Sequence, residues 1–303
     1  MSSPRLYKYS GAGNDFIVLS DGIAVPESAA DGSLCSQGLP EDAGAYRDAR
    51  LIERLCDRRD GLKAADGRTG ADGLMILSRP DRPGCDFRME YFNSDGSGGM
   101  MCGNGGRCIA AFADFLGIRP ADGKDYLFEA PDGQHSAEIL SREGSRCTVR
   151  LKMIDAFGLR RVLGGWFLNT GTRHFVLFTD DAEAVDVEKD GRRLRHDPEF
   201  APEGANVNFV SRMDGNLLKI RTFEKGVEAE TLACGTGITA AAIAAYYEGI
   251  APAETDGKRV KYRLQARTDL LSVDFIPSAG GACGTAAAEV FLTGPAERIY
   301  SQR

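Results

Sequence analysis

Two stretches of the chain repeat one pattern, in which a cysteine precedes a glycine cluster and an apolar, helix-like run. Residues 100–118 read MMCGNGGRCIAAFADFLGI, and residues 233–250 read ACGTGITAAAIAAYYEGI. When Cys102 is placed on Cys234, a shift of 132 residues (234 − 102), the glycine that follows each apolar run also coincides. At this period the repeated unit is a domain, so the chain is predicted to contain an internal duplication.

A second pair of segments supports the duplication. SGAGNDFIVLSD at residues 10–21 corresponds to NTGTRHFVLFTD at residues 169–180, with a shift of 159 (169 − 10). The two shifts differ by 27 (159 − 132), so the N-terminal copy carries extra residues. Residues 22–49 are rich in glycine, alanine, aspartate and proline, and we expect them to form this insertion as a surface excursion.

The segment EAPDGQHSAE at residues 129–138 is rich in turn formers and indicates a domain boundary. We therefore predict an N-terminal domain of residues 1–132, completed by a returning strand within 287–303, and a C-terminal domain of residues 133–286.

Strand-like runs greatly outnumber helical ones and mostly follow one another directly, which argues against a doubly wound parallel sheet. No charge occurs between Leu232 and Tyr247, so the helix there must be buried on all sides. A third helix is expected in ARLIERLCDRR, residues 49–59. The predicted fold is α/β (α+β), with two pseudo-symmetric domains, each a mixed or antiparallel β-sheet barrel around a central α-helix.

Composition excludes several functional classes. The net charge of −7 and pI near 5.2 argue against non-specific nucleic-acid binding. The N-terminus lacks the apolar core of a signal peptide and no apolar run reaches membrane-spanning length, so a cytoplasmic protein without a membrane segment is expected. Eight cysteines without a CxxC pair, and three scattered histidines, predict reduced thiols and no metal site.

A cysteine at a helix start has two interpretations. The positive end of the helix stabilises a thiolate and can also hold a carboxylate, whereas a buried cysteine at a tight turn needs no function. Two such starts suit one reaction, in which one thiolate removes a proton from a carbon and the other thiol protonates the opposite face. Cys102 and Cys234 are the candidates for this pair.

Six motifs make the chain similar to the diaminopimelate epimerase family over nearly its whole length. They are YKYSGAGNDFIVL, GADGLMIL, YFNSDG, MCGNGGRC, GANVNF and FEKGVEAETLACGTG. The resemblance implies interconversion of LL- and meso-2,6-diaminopimelate for lysine and peptidoglycan precursors, with Cys102 and Cys234 as acid and base. It implies no pyridoxal phosphate, other cofactor or metal, a small-molecule substrate, and is compatible with a homodimer.

The resemblance also assigns further residues to the substrate. The backbone cradle for the reacting carboxylate corresponds to Gly103, Asn104, Gly235 and Thr236. The amides that hold the substrate correspond to Asn14, Asn93 and Asn206, the last two mainly at its distal end. The polar groups close to the reacting centre correspond to His174 and Glu224. Taken singly, the asparagines are also typical turn or strand-edge residues, and the histidine is also typical of a core.

The chain departs from the family pattern beside this set. Lys225 follows Glu224 where the family usually has an arginine that binds the distal carboxylate as a fork, and lysine offers only a point charge. Arg173 precedes His174 where the family usually has a proline. We hypothesise that Arg173 supplies the missing guanidinium, so that Arg173→Ala would raise the Michaelis constant.

Three alternatives remain from the sequence. A cofactor-independent racemase of another amino acid would keep both cysteines and change the distal pocket. A thiol redox sensor would use the two cysteines as a switch. A non-enzymatic carboxylate-binding module would tolerate loss of either cysteine, whereas both enzymes would lose turnover.

Overall fold

A computed structural model describes residues 4–26, 33–34, 38–64, 66–99, 101–278 and 284–299. Its strands are β1 (Tyr7–Gly11), β2 (Asn14–Asp21), β3 (Gly73–Ser78), β4 (Phe87–Asn93), β5 (Asp125–Ala130), β6 (Gly133–Glu143), β7 (Arg146–Lys152), β8 (Ala156–Val162), β9 (Gly165–Asn169), β10 (Arg173–Phe178), β11 (Asn206–Met213), β12 (Leu217–Glu224), β13 (Ala229–Thr231), β14 (Glu254–Asp256), β15 (Arg259–Gln265), β16 (Leu270–Pro277) and β17 (Thr285–Ile299). Its α-helices are α1 (Ala49–Cys56), α2 (Gly103–Phe115), α3 (Val187–Arg195) and α4 (Gly235–Tyr247).

The chain divides into two compact units. Residues 1–151 with 295–303 form the N-terminal unit, and residues 152–294 form the C-terminal unit. The turn-rich segment 129–138, where the sequence placed a boundary, is the β5–β6 hairpin, and both strands lie in the N-terminal unit. A hairpin turn and a domain linker share the same residue types, so composition did not distinguish them.

The strands of the N-terminal unit close into a ring. From β1 to β7 each strand pairs with the next, β7 pairs with β17, and the last residues of β17 pair with β1. The β2–β3 and β4–β5 pairs are parallel and the other consecutive pairs antiparallel. The ring encloses α2, whose residues from Gly103 to Ala113 are all buried.

The C-terminal unit repeats this arrangement. The ring runs β9, β10, β11, β12, β15, β16, β17, β8 and back to β9, with parallel pairs at β10–β11 and β12–β15. The helix α4 packs against six of these strands. The predicted fold of two pseudo-symmetric mixed barrels around central helices is confirmed.

The two central helices also end alike. Each has 13 residues and is followed two residues later by a left-handed glycine, Gly117 with φ 81° and Gly249 with φ 77°. The N–H groups of Ile118 and Ile250 then bond the carbonyls five residues earlier, at 3.1 and 3.0 Å. This is the Schellman arrangement, in which glycine relieves the strain of positive φ.

The helix α3 was absent from the sequence prediction. Its buried face consists of Val187, Gly191 and Leu194, at helical spacing. A Cβ at Gly191 would lie 2.5 Å from Phe223 Cβ, so close packing against β12 excludes a side chain there. Because the middle of the stripe is glycine and the other face is charged, the apolar periodicity was too weak to detect.

The expectation that residues 22–49 form a surface excursion is wrong for part of the segment. Leu34 and Tyr46 are buried in a hydrophobic cluster that also contains residues of β2 and β3. Tyr46 lies on a short 3-10 helix, Ala43–Arg47, and its hydroxyl donates to Pro40 O at 3.3 Å. Isolated apolar residues in a turn-rich stretch gave no periodic signal. Residues 27–32 and 35–37 lie outside the described residues.

The N-terminal unit buries a charged group at Asp15, which is 3% exposed. Lys8 Nζ and Arg58 Nη2 lie 2.7 Å from its two carboxylate oxygens. Burial itself acts to raise the pKa of Asp15, but the hydrogen bonds and charges of Arg58 and Lys8 prevail and lower it.

This ion-pair cluster predicts acid sensitivity. Because the folded pKa of Asp15 is depressed, the unfolded chain binds the proton first, so the stabilisation is present above about pH 4 and is lost as pH falls through the folded value. We expect the urea midpoint to fall on acidification, and Asp15→Asn to lower it at neutral pH and flatten its acid slope. Asp214→Asn, at an exposed site, is the matched control. Equal slopes for Asp15→Asn and the unmodified chain would contradict the assignment.

Candidate active-site residues in the two units

Cys102 caps the first central helix. Its backbone is extended, with φ −114° and ψ 154°, and its Sγ accepts the Gly105 N–H at 3.2 Å. First-turn N–H groups lack an intrahelical partner and carry the positive end of the helix dipole. The sulfur therefore lies where negative charge is stabilised.

The side chains around this helix start form a chain of hydrogen bonds in which each donor and acceptor can be assigned. Arg107 can only donate, and its Nη2 lies 2.8 Å from Asn104 Oδ1. Asn104 Nδ2 therefore donates to Asn14 Oδ1 at 2.6 Å, and Asn14 Nδ2 donates to Asp72 at 2.9 Å. A Cβ at Gly11 would lie 2.8 Å from Asn104 O, so glycine permits this close approach. The structure thus brings Asn14 and Asn104 together.

Asn93 ends β4 and belongs to a tight turn. Its Nδ2 donates to Ser97 Oγ at 3.0 Å, and its backbone N–H donates to Ser97 O at 2.9 Å. The side chain therefore has a structural role, and its contact with substrate stays a prediction.

Cys234 occupies the N-cap position of the second central helix without a side-chain capping hydrogen bond, and is 7% exposed. Its Sγ lies 3.4 Å from Thr236 Oγ1. The Thr236 carbonyl accepts a hydrogen bond from Thr170 Oγ1 at 2.9 Å, which anchors the first turn of α4 to the β9–β10 turn. The predicted cradle residue Gly235 lies between the cysteine and this threonine, as the first residue of the helix.

His174 is completely buried beside Thr236. Its Nε2 lies 3.0 Å from Thr236 Oγ1, and its Nδ1 lies 3.1 Å from Asn208 Nδ2. Burial, with a smaller contribution from the charge of Lys225, lowers the pKa of His174 to about 3, so the imidazole is neutral at physiological pH. Asn208 was not among the predicted site residues. Its alternation with Asn206 along β11 was the available signal.

Asn206 connects three strand ends. It is 4% exposed, its Oδ1 accepts the Lys225 N–H at 2.8 Å, and its Nδ2 donates to Arg173 O at 3.2 Å. Glu224, the last residue of β12, accepts a hydrogen bond from the Thr231 hydroxyl. The structure therefore groups Asn206, Glu224 and Lys225 at one end of the β10–β11–β12 sheet, beside His174.

Arg173 is already engaged by its own unit. Its guanidinium pairs with Glu203 and lies 5.2 Å from the ring centroid of Phe167. These contacts give the side chain a structural role that the sequence did not indicate, and its contribution to substrate binding stays a prediction.

Among the described residues no cysteine is in a disulfide bond, and Cys35 and Cys283 lie outside the described residues. Cys108 lies on α2 and is fully buried, and burial raises its pKa. Over the described ranges, no group of three or more His, Cys, Asp or Glu is placed to hold a metal ion. In the same ranges no helix combines the length and apolarity that crossing a membrane requires.

Sequence comparisons relate the whole chain to one family. The family model for diaminopimelate epimerase matches residues 36–153 and 166–268. A diaminopimelate epimerase from Aquifex aeolicus (strain VF5) is 36% identical over 307 residues, covering 99% of this chain and 97% of the relative. One from Chlorobaculum tepidum (strain ATCC 49652 / DSM 12025 / NBRC 103806 / TLS) is 37% identical over 296 residues, covering 96% and 97%.

Solved structures share the fold at low sequence identity. A Bacillus anthracis phenazine biosynthesis protein of the PhzF family has a TM-score of 0.64 and 13% identity, covering 99% of this chain and 98% of that one. A probable proline racemase from Agrobacterium radiobacter K84 has a TM-score of 0.61 and 17% identity, covering 99% and 93%. At such identities the likeness shows the fold alone.

Proposed function

The chain belongs to the diaminopimelate epimerase family, and we propose that it interconverts LL- and meso-2,6-diaminopimelate. Identity of 36–37% with relatives of that name, over nearly the full length of both chains, supports the proposal. The observation that carries the mechanism is the duplicated helix start, because both barrels place a cysteine at the N-cap of a buried central helix.

Inversion of an α-carbon needs proton removal on one face and proton delivery on the other. We propose that Cys102 and Cys234 perform these two steps, one as thiolate and the other as thiol, and exchange roles in the reverse direction. A thiolate at a helix start is stabilised by the dipole, as the Gly105 N–H illustrates for Cys102.

Binding of the substrate carboxylate requires positive charge from groups that are not themselves acids in the reaction. First-turn N–H groups at Gly103, Asn104, Gly235 and Thr236 are proposed to bind it, since helix starts hold anions. Charge that moves from the α-carbon onto the carboxylate in the transition state would strengthen the same hydrogen bonds. The reaction is proposed to need no pyridoxal phosphate or metal, and to take place in the cytoplasm.

The distal amino acid centre of the substrate would be held by side chains. We propose Asn93, Asn206 and Lys225 for this role. Asn14 is proposed as a further substrate-holding residue, and His174 and Glu224 are proposed to lie close to the reacting centre. The buried Asn206 accepts the Lys225 N–H at 2.8 Å and so orders the backbone at this lysine, which directly follows Glu224 at the end of β12. Because lysine lacks the guanidinium fork, the distal carboxylate would be held by charge more than by bidentate geometry.

The function is tested by α-proton exchange in heavy water, followed by NMR. LL-diaminopimelate and a panel of other L-amino acids are incubated with reduced protein and no added cofactor. Exchange with inversion on diaminopimelate alone is expected. Exchange on a different amino acid would keep the two-thiol reaction and replace the substrate, an alternative favoured by Lys225. Absence of exchange on every substrate would overturn the epimerase.

A further inference from the structure

For the hydrogen bonds beside Cys234, the donor and the acceptor of each bond can be assigned. Asn208 Nδ2 lies 3.0 Å from the Phe175 carbonyl oxygen, which can only accept, so the amide orientation is determined. The Thr222 hydroxyl donates to the opposite atom, Asn208 Oδ1, at 3.0 Å. Asn208 is completely buried, and a Cβ at Gly237 would collide with its Oδ1, so the amide packs directly beneath the start of α4.

This orientation selects one tautomer of His174. The same Asn208 Nδ2 lies 3.1 Å from His174 Nδ1, so Nδ1 must accept. A neutral imidazole that accepts at Nδ1 carries its proton on Nε2. The Nε2–H then donates to Thr236 Oγ1 at 3.0 Å.

The hydroxyl proton of Thr236 is therefore directed away from His174. Within the described part of the chain, Cys234 Sγ at 3.4 Å is the acceptor within its reach. We propose that Asn208, His174 and Thr236 form a positioning chain that directs the Thr236 hydroxyl at Cys234 and stabilises its thiolate. The inference deepens the proposed function and rests on it, since it concerns one sulfur of the proposed acid–base pair.

The two cysteines are stabilised by different donors. Cys102 accepts the backbone N–H of Gly105 at 3.2 Å. Because this donor belongs to the backbone, it does not depend on a neighbouring side chain. Cys234 depends on a side-chain hydroxyl held by a buried histidine. Charged groups at this end of the strands packed against α4 include Glu224 and Lys225 at the end of β12, Arg173 at the start of β10, and Arg267, whose backbone N–H donates to Leu232 O at 3.2 Å. None of these groups is part of the positioning chain.

The first test measures thiolate reactivity without turnover. Iodoacetamide alkylation of Cys234 is followed by peptide mass spectrometry over a pH series in the unmodified chain, Thr236→Val and Thr236→Ser. Losing the hydroxyl is expected to slow alkylation at about neutral pH by about tenfold and to move its midpoint to higher pH, while serine restores both. Cys102, followed in the same molecules, is the internal control. An unchanged Cys234 profile in Thr236→Val overturns the proposal.

The second test examines the unmodified protein, so it does not depend on a variant that folds. Nitrogen-15 NMR of histidine-labelled protein reports the tautomer, with His174 assigned from His135→Gln and His196→Gln spectra. A neutral His174 with its proton on Nε2 is expected throughout the neutral pH range. A proton on Nδ1 would reverse the chain and refute it. If both tests succeed but the exchange assay finds no substrate, the positioning chain stands and the epimerase assignment fails.

Discussion

Replacing either Cys102 or Cys234 with alanine is expected to lower kcat for epimerisation by about 10³-fold, because each inversion needs both a base and an acid. Both residues lie at helix N-caps rather than in the packed middle of a helix, so the fold should survive. The measurement is the rate of interconversion of the two stereoisomers, with circular dichroism to verify folding.

A matched control distinguishes the loss of a catalytic thiol from the loss of a thiol that has no proposed role. Cys147 lies on β7, is partly exposed and has no proposed role, so Cys147→Ala should retain the kcat of the unmodified chain. If a folded Cys234→Ala protein epimerised diaminopimelate at the unmodified rate, the two-thiol mechanism would be abandoned. Retained substrate binding without turnover in both alanine variants is the expected pattern.

The second large effect is expected on stability, from Arg107→Met. Arg107 is completely buried within α2, and its guanidinium bonds Gly103 O at 3.0 Å, Asn104 Oδ1 at 2.8 Å and Pro295 O at 3.2 Å. Methionine fills much of the volume but removes the guanidinium hydrogen bonds to all three acceptors. The expected loss is about 3 kcal/mol of unfolding free energy.

Hydrogen exchange localises this effect. Amides of α2 should exchange about 100-fold faster in Arg107→Met, in proportion to the lost free energy. Arg107→Lys should lie between the two proteins, because it keeps the charge and loses the fork. Arg119→Met removes a largely exposed partner of Asp114 and is expected to change little. Equal protection of α2 in Arg107→Met and Arg119→Met would show that the buried guanidinium contributes no net stability.

Local sequence signals predicted much of the fold of this protein. The repeated cysteine–glycine–helix pattern predicted both central helices, their starts and their glycine ends, and the excess of strands predicted barrels around them. These features depend on caps, turns and apolar periodicity, which act over a few residues. The candidate cysteines followed from the same local pattern.

Tertiary structure decided which polar groups meet. Asn104 bonds Asn14 from 90 residues away, and Asn208 reaches His174 across the parallel β10–β11 pair. It also buried Tyr46 in a segment predicted to lie on the surface and assigned the 129–138 turn to a hairpin. Strand pairing and barrel closure select these neighbours, and a buried polar group must find its partner wherever the fold places one. Short-range sequence patterns therefore identified the helix starts, whereas non-local pairing determined their hydrogen-bonding environment.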